Sequence, residues 1–164
     1  MILDYVQLHH KIKLEKEKLS HHNYLDALFK TEDDKSSFIR EFEKSDLFKK
    51  ITPMQGSLNV ISNLSKNNKL VAISGRPQHL KEETEIWLSK FFPGCFSEVH
   101  LVNQYPKKGE IKGPSKHELC KKLNCSMSIE DDADTSNSLA ENGIKVILFN
   151  QPWNKEAKLL ENIR

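Results

Sequence analysis

The sequence predicts an α/β protein, a parallel sheet with flanking helices preceded by a small helical segment. Three observations carry this. Four short apolar runs, at residues 69–74, 97–102, 126–130 and 145–149, alternate with single amphipathic stretches. The runs read as apolar nearly throughout, the pattern of strands covered on both sheet faces. Upstream of Ile51 the character changes, because residues 5–50 contain neither Gly nor Pro and read as helix throughout.

Taken in order, residues 1–50 form the helical segment and residues 51–164 the α/β core. Leu8, Ile12, Glu15 and Leu19 give one helical face, and Tyr24, Leu25 and Leu28 a second. Phe38, Phe42 and Leu47 line a third helix that Asp33 or Asp34 is placed to cap. In the core, residues 58–64, 80–91, 116–123 and 136–141 read as helices between the strands. Single helices between strands require parallel crossovers.

Bulk properties exclude several classes. With 25 basic and 23 acidic residues, the net charge of +2 is too balanced for a nucleic-acid surface. The longest apolar runs are about six residues, against the roughly 20 needed to span a bilayer. No signal peptide is legible, and Cys95, Cys120 and Cys125 match no zinc spacing. A cytoplasmic, reducing compartment is the expectation. The pairs His9-His10 and His21-His22 point about 100° apart on a helix and chelate poorly, so solvated or packed rings are expected.

Ligands of open parallel sheets bind beyond the carboxyl ends of the strands. The first strand ends in Ser74-Gly75-Arg76-Pro77. A hydroxyl and a glycine leading into a helix suit a phosphate oxygen, and equally suit a plain strand-to-helix turn. The third strand runs into Glu130-Asp131-Asp132-Ala133-Asp134. Clustered carboxylates favour Mg²⁺ among cations; the alternative is a solvated turn with Asp134 or Thr135 capping the next helix. Lys116, fourteen residues before Glu130, opens the helix leading into that strand, where an ammonium neutralises phosphate or carboxylate charge. Lys107, Lys108 and Lys112, beside Gly109 and Gly113, read as a solvated connection or an anion-binding loop. Trp87 reads as core, and Trp153 as core, lid or base-stacking.

Hydroxyl after one strand, lysine before another and carboxylates after that strand resemble motifs two, three and four of the haloacid dehalogenase superfamily. The resemblance is nearest to its cytosolic 5'(3')-deoxyribonucleotidase-like branch. Further support comes from Thr52-Pro53-Met54-Gln55-Gly56-Ser57, Ser138-Leu139-Ala140-Glu141-Asn142-Gly143-Ile144, and a strand continuing to Pro152-Trp153-Asn154. It covers about residues 45–155. It implies a Rossmann-like parallel sheet, a helical cap over residues 8–50, and Mg²⁺-dependent hydrolysis of phosphomonoesters such as nucleoside monophosphates. Ser74, Gly75, Arg76 and Lys116 would then bind phosphate, with Lys116 also catalytic. Asp131, with Asp132 or Glu130, would hold Mg²⁺.

The first motif of that superfamily, an apolar strand ending in Asp-x-Asp, has no counterpart before the cap. Residues 1–6, Met-Ile-Leu-Asp-Tyr-Val, resemble the stretch just downstream of that motif, so the nucleophile is expected to lie upstream of this sequence. An alternative alignment makes Ile2–Leu3 a strand remnant and Asp4 the nucleophile, with Val6 where the acid/base belongs. Without the central strand the sheet is expected to close by residues 1–6, by direct pairing of its neighbours, or by a second chain. The last option implies self-association through an incomplete sheet.

Overall fold

The structure, a computed structural model, describes residues 2–19, 25, 28–104, 106 and 109–164. His21, His22, Tyr24, Lys107 and Lys108 lie outside the described residues. The chain is α/β and divides into two compact units, residues 50–114 and residues 1–49 with 115–164. No helix among the described residues is long and apolar enough to cross a membrane.

In the unit of residues 50–114, helix α4 (Ser57–Ser65) leads to strand β1 (Leu70–Ser74). A 3-10 turn (Gln78–Leu80) and helix α5 (Lys81–Phe91) then cross over to β2 (Phe96–Leu101). β1 and β2 pair in parallel, with Ile73 opposite His100 and Ser74 opposite Leu101. This is the strand–helix–strand crossover that parallel neighbours require. An aromatic cluster of Trp87, Phe91, Phe92 and Phe96 fills the space between α5 and the start of β2. The Trp87 indole donates to the Ile51 carbonyl at 2.8 Å, which accounts for its polar edge.

In the other unit, helix α1 (Ile2–His10) is followed by extended chain, a 3-10 turn (Lys16–Lys18), α2 (Glu32–Lys44) and α3 (Asp46–Lys49). After residue 114 come α6 (Lys116–Lys122), β3 (Met127–Glu130), α7 (Ala133–Glu141) and β4 (Lys145–Leu148). β3 and β4 pair in parallel, Ile129 opposite Ile147 and Glu130 opposite Leu148. Ser136, Leu139 and Ala140, three and four residues apart on α7, are its buried face. Leu139, Val146 and Val6 are the best-buried apolar side chains. The C-terminus covers the far edge of β4, where Arg164 N–H donates to Val146 O at 3.0 Å.

Several expectations are corrected. Residues 2–6 are helical, so Ile2–Leu3 is no strand remnant. A helix lets Tyr5 pack on Phe38 and Phe42, with ring centroids 5.5 and 5.4 Å away, and stack on His9 one turn later. The face from Leu8 to Leu19 is interrupted because α1 ends at His10, beyond which Lys11 takes a positive φ of 58°. Thr31, rather than Asp33 or Asp34, caps α2, accepting from Asp34 N–H at 3.1 Å. The four strands form two separate two-stranded sheets, β1–β2 and β3–β4, so β1 and β3 do not pair with each other. One face of β3–β4 is uncovered, with Met127, Ile129 and Ile147 between 42% and 51% exposed. The expectation of cover on both faces fails there.

Candidate functional site

Lys116 and Glu130 are joined by the elements on either side of one tight turn. Ser115 caps α6 with a capping box: its hydroxyl accepts from Glu118 N–H, and the Glu118 carboxylate accepts from Ser115 N–H at 2.8 Å. That fixes where the helix starts, and so fixes Lys116 in its first turn. From there the ammonium reaches Glu130 at the end of β3, Nζ to Oε2 2.7 Å. Both side chains are largely withdrawn from water, 18% and 9% exposed. Ser128 Oγ donates to the other carboxylate oxygen at 3.4 Å. Burial pushes the Glu130 carboxyl above the usual carboxylate range; the Lys116 charge works against that, and the nearby Asp131 adds to it.

The acidic cluster is divided among three roles. The Asp132 side chain caps α7, accepting from Thr135 N–H at 2.8 Å, where the solvated-turn alternative put Asp134 or Thr135. Glu130 is committed to Lys116. Among the described residues no hydrogen bond or ion pair engages the Asp131 carboxylate. The backbone carbonyl of Asp131, by contrast, is doubly held. It accepts from Trp153 Nε1 at 2.9 Å and from Asn154 Nδ2 at 2.9 Å. Asn154 also donates to Phe149 O and accepts from Gln151 N–H, and it is only 4% exposed.

This clamp was not legible as such. The Pro-Trp-Asn stretch is visible in the sequence, but its side chains bind a backbone atom some twenty residues upstream, which no local pattern encodes. Parallel pairing of β3 with β4 is what brings the two turns together, since Phe149 N–H donates to Glu130 O at 2.6 Å.

The donor set tests the expected Mg²⁺. Hard oxygen donors are present, and Mg²⁺ retains several waters and needs only one or two protein carboxylates. Asp131 fits that requirement, with Glu130 adjoining. Among the described residues no group of three or more His, Cys, Asp or Glu side chains is placed to hold a metal ion.

Ser74, Gly75 and Arg76 lie in the unit of residues 50–114, at and beyond the end of β1. The Ser74 hydroxyl accepts from Arg76 N–H at 3.3 Å, which leaves its own proton to donate elsewhere. Space favours glycine at position 75: a Cβ there would stand 2.7 Å from Gln104 Oε1 and 3.1 Å from Gln104 Cβ. The Arg76 guanidinium donates to Thr84 Oγ1 at 3.0 Å, bracing the turn against α5. That contact gives Arg76 a structural task alongside the expected phosphate role. Gln104 N–H donates to Gly75 O and Asn103 N–H to Arg76 O, so the strand-end turn is held along its backbone.

Asp4 sits exposed in the first turn of α1. Its helical setting is unlike the strand end where a nucleophilic carboxylate is expected. His9 and His10 pack against Tyr5, Phe29 and Phe38. The three cysteines are free thiols. No family model matches the chain, and no curated protein or solved structure matches it, so its chemistry is read from these residues.

Proposed function

We propose that this chain is a haloacid-dehalogenase-type phosphatase relative, nucleotidase-like in its strand-end residues, that binds phosphomonoesters without turning them over. The observation that carries this reading is the ion pair of Lys116 with Glu130, 2.7 Å long at the end of a parallel strand. An ammonium from the helix before a strand, held by the carboxylate at that strand's end, is poised to exchange part of its contact for phosphate oxygen. Support also comes from the spare hydroxyl proton of Ser74 and from the Asp131 carboxylate. In this reading Lys116 binds the phosphoryl group and Asp131 holds hydrated Mg²⁺, which supplies charge neutralisation when bound, while Ser74 offers its hydroxyl to a phosphate oxygen within its own unit. The finer architecture proposed is a Rossmann-like parallel sheet.

Turnover is absent from the reading because, among the described residues, no carboxylate at a strand end precedes α2. Phosphoryl transfer through an aspartyl phosphate needs such a nucleophile, and the loss of an acid/base costs roughly another 10²–10⁴ in rate. The test is hydrolysis of p-nitrophenyl phosphate and nucleoside monophosphates in the presence of Mg²⁺. No release of phosphate above background is expected. Robust turnover that Asp4→Asn abolishes would overturn the reading.

A further inference from the structure

Helix α6 ends in a tight reversal that places two cysteines against each other. Leu123 N–H donates to Leu119 O at 2.9 Å, Asn124 N–H to Lys121 O at 3.0 Å, and Cys125 N–H to Cys120 O at 2.8 Å. Asn124 takes the left-handed conformation, φ 54°. Together these bonds form a Schellman motif, in which the residue three before the cap and the residue two beyond it make a side-chain contact. Here those two residues are Cys120 and Cys125. A bond from Cys125 N–H to Cys120 O holds the residues side by side, the condition for a bridge whose Cα atoms stand roughly 4.4–6.8 Å apart.

We propose that Cys120 and Cys125 are an oxidative modification site, closing to an intramolecular disulfide that ties the end of α6 to the turn before β3. The inference does not depend on phosphate binding. Lys116 and Cys120 are four residues apart and so share one face of α6. Lys116–Glu130 joins α6 to the end of β3, and Cys120–Cys125 joins α6 to the turn before β3, one contact ionic and one of thiols. Oxidation makes the second contact covalent.

The two sulfurs have different parts. Cys120 is 3% exposed, and burial first, then the neighbouring Cys125, pushes its thiol up to about 12. A thiol so placed is a poor first nucleophile toward a dissolved oxidant. Cys125 is half-buried and meets the oxidant first. With hydrogen peroxide, the Cys125 sulfur attacks one peroxide oxygen; an S–O bond forms, the O–O bond breaks, and water leaves. The Cys120 sulfur then attacks the Cys125 sulfenic acid; the S–S bond forms, the S–O bond breaks, and the departing hydroxide takes the Cys120 proton as a second water. Two electrons pass from the sulfur pair to the peroxide.

The experiment treats the full chain with stoichiometric hydrogen peroxide, alkylates remaining thiols, and maps peptides by mass. The expected product is a monomer lighter by two hydrogens, bridged between Cys120 and Cys125, with Cys95 alkylated. Dithiothreitol restores all three thiols, and the bridged form melts at higher temperature than the reduced one. In Cys120→Ser, oxygen adducts accumulate on Cys125 instead. Oxygen adducts on Cys125 in the unsubstituted chain, a bridge to Cys95, or disulfide-linked dimers would each overturn the proposal; the mapping needs no variant that has to fold.

Discussion

The Lys116 ammonium and the Glu130 carboxylate, fourteen residues apart in sequence, meet at 2.7 Å with little access to water. A pair so withdrawn is sensitive to the loss of one member, because the other is left as an uncompensated buried charge. Lys116→Met is expected to destabilise its unit by about 3–5 kcal/mol. Adding Glu130→Gln to Lys116→Met should recover most of that loss. Chemical denaturation of the two variants checks both statements. If Lys116→Met alone costs nothing measurable, the pair is not buried in solution.

The same pair sets a pH dependence. The folded carboxyl of Glu130 titrates above its unfolded value, so the native state keeps a proton that the unfolded chain has already lost. This group's penalty is absent below the unfolded carboxyl pKa and complete above the raised folded one. Stability from Glu130 therefore falls as pH rises through that window, and Glu130→Gln should remove this component from a pH series of melting curves.

Glu118 works with the opposite sign. Its hydrogen bonds from Ser115, side chain first and then backbone, hold its carboxyl below the usual range. The capping contribution is thus present above the unfolded carboxyl pKa and lost as pH falls through the lowered folded one. Glu118→Gln should flatten that acid limb. Ser115→Ala, which removes the cap from the helix carrying Lys116, is expected to cost about 1 kcal/mol, measured by urea midpoint at constant m-value.

Asn154 is a buried side chain with three polar contacts, to Asp131 O, Phe149 O and Gln151 N–H. Asn154→Leu strands these groups and is expected to destabilise by about 3 kcal/mol. Trp153→Phe removes only one of two donors to the Asp131 carbonyl, an expected loss of about 1 kcal/mol. Equal costs for the two substitutions would argue that side-chain packing, rather than the clamp, matters.

The outer edge of β3 has no strand partner among the described residues, and Met127 and Ile129 on it are about half exposed. Natural edge strands are guarded by lysine, proline or a bulge, and the sequence Met-Ser-Ile-Glu of β3 has none of these. Pairing with a second copy through this edge is expected as concentration rises. Light scattering should show mass growing with concentration in the unsubstituted chain and staying at one chain in Ile129→Lys.

The strands and the crossover helices were legible in the sequence, because four apolar runs alternating with amphipathic stretches are local signals. The placement of Lys116 beside Glu130 was legible too, since a helix that returns onto the next strand brings its first turn to that strand's end. What local pattern could not supply was the pairing between strands. Residues 2–6 offered an apolar run short enough for strand or helix, and only the distant rings of Phe38 and Phe42 decide for helix. The Asn154 clamp was hidden for the same reason, as its acceptor lies across a parallel pair. The division of the carboxylates was hidden by their adjacency: Glu130, Asp131 and Asp132 are neighbours in sequence, yet one pairs with Lys116, one caps α7, and one does neither.

The most direct measurement is titration calorimetry of the full chain with orthovanadate and Mg²⁺, comparing the unsubstituted protein with Asp131→Asn. Binding is predicted for the unsubstituted protein, weakened about tenfold, or about 1.4 kcal/mol, by the substitution. Absence of binding heat across a range of temperatures, or an affinity that the substitution leaves unchanged, would contradict it.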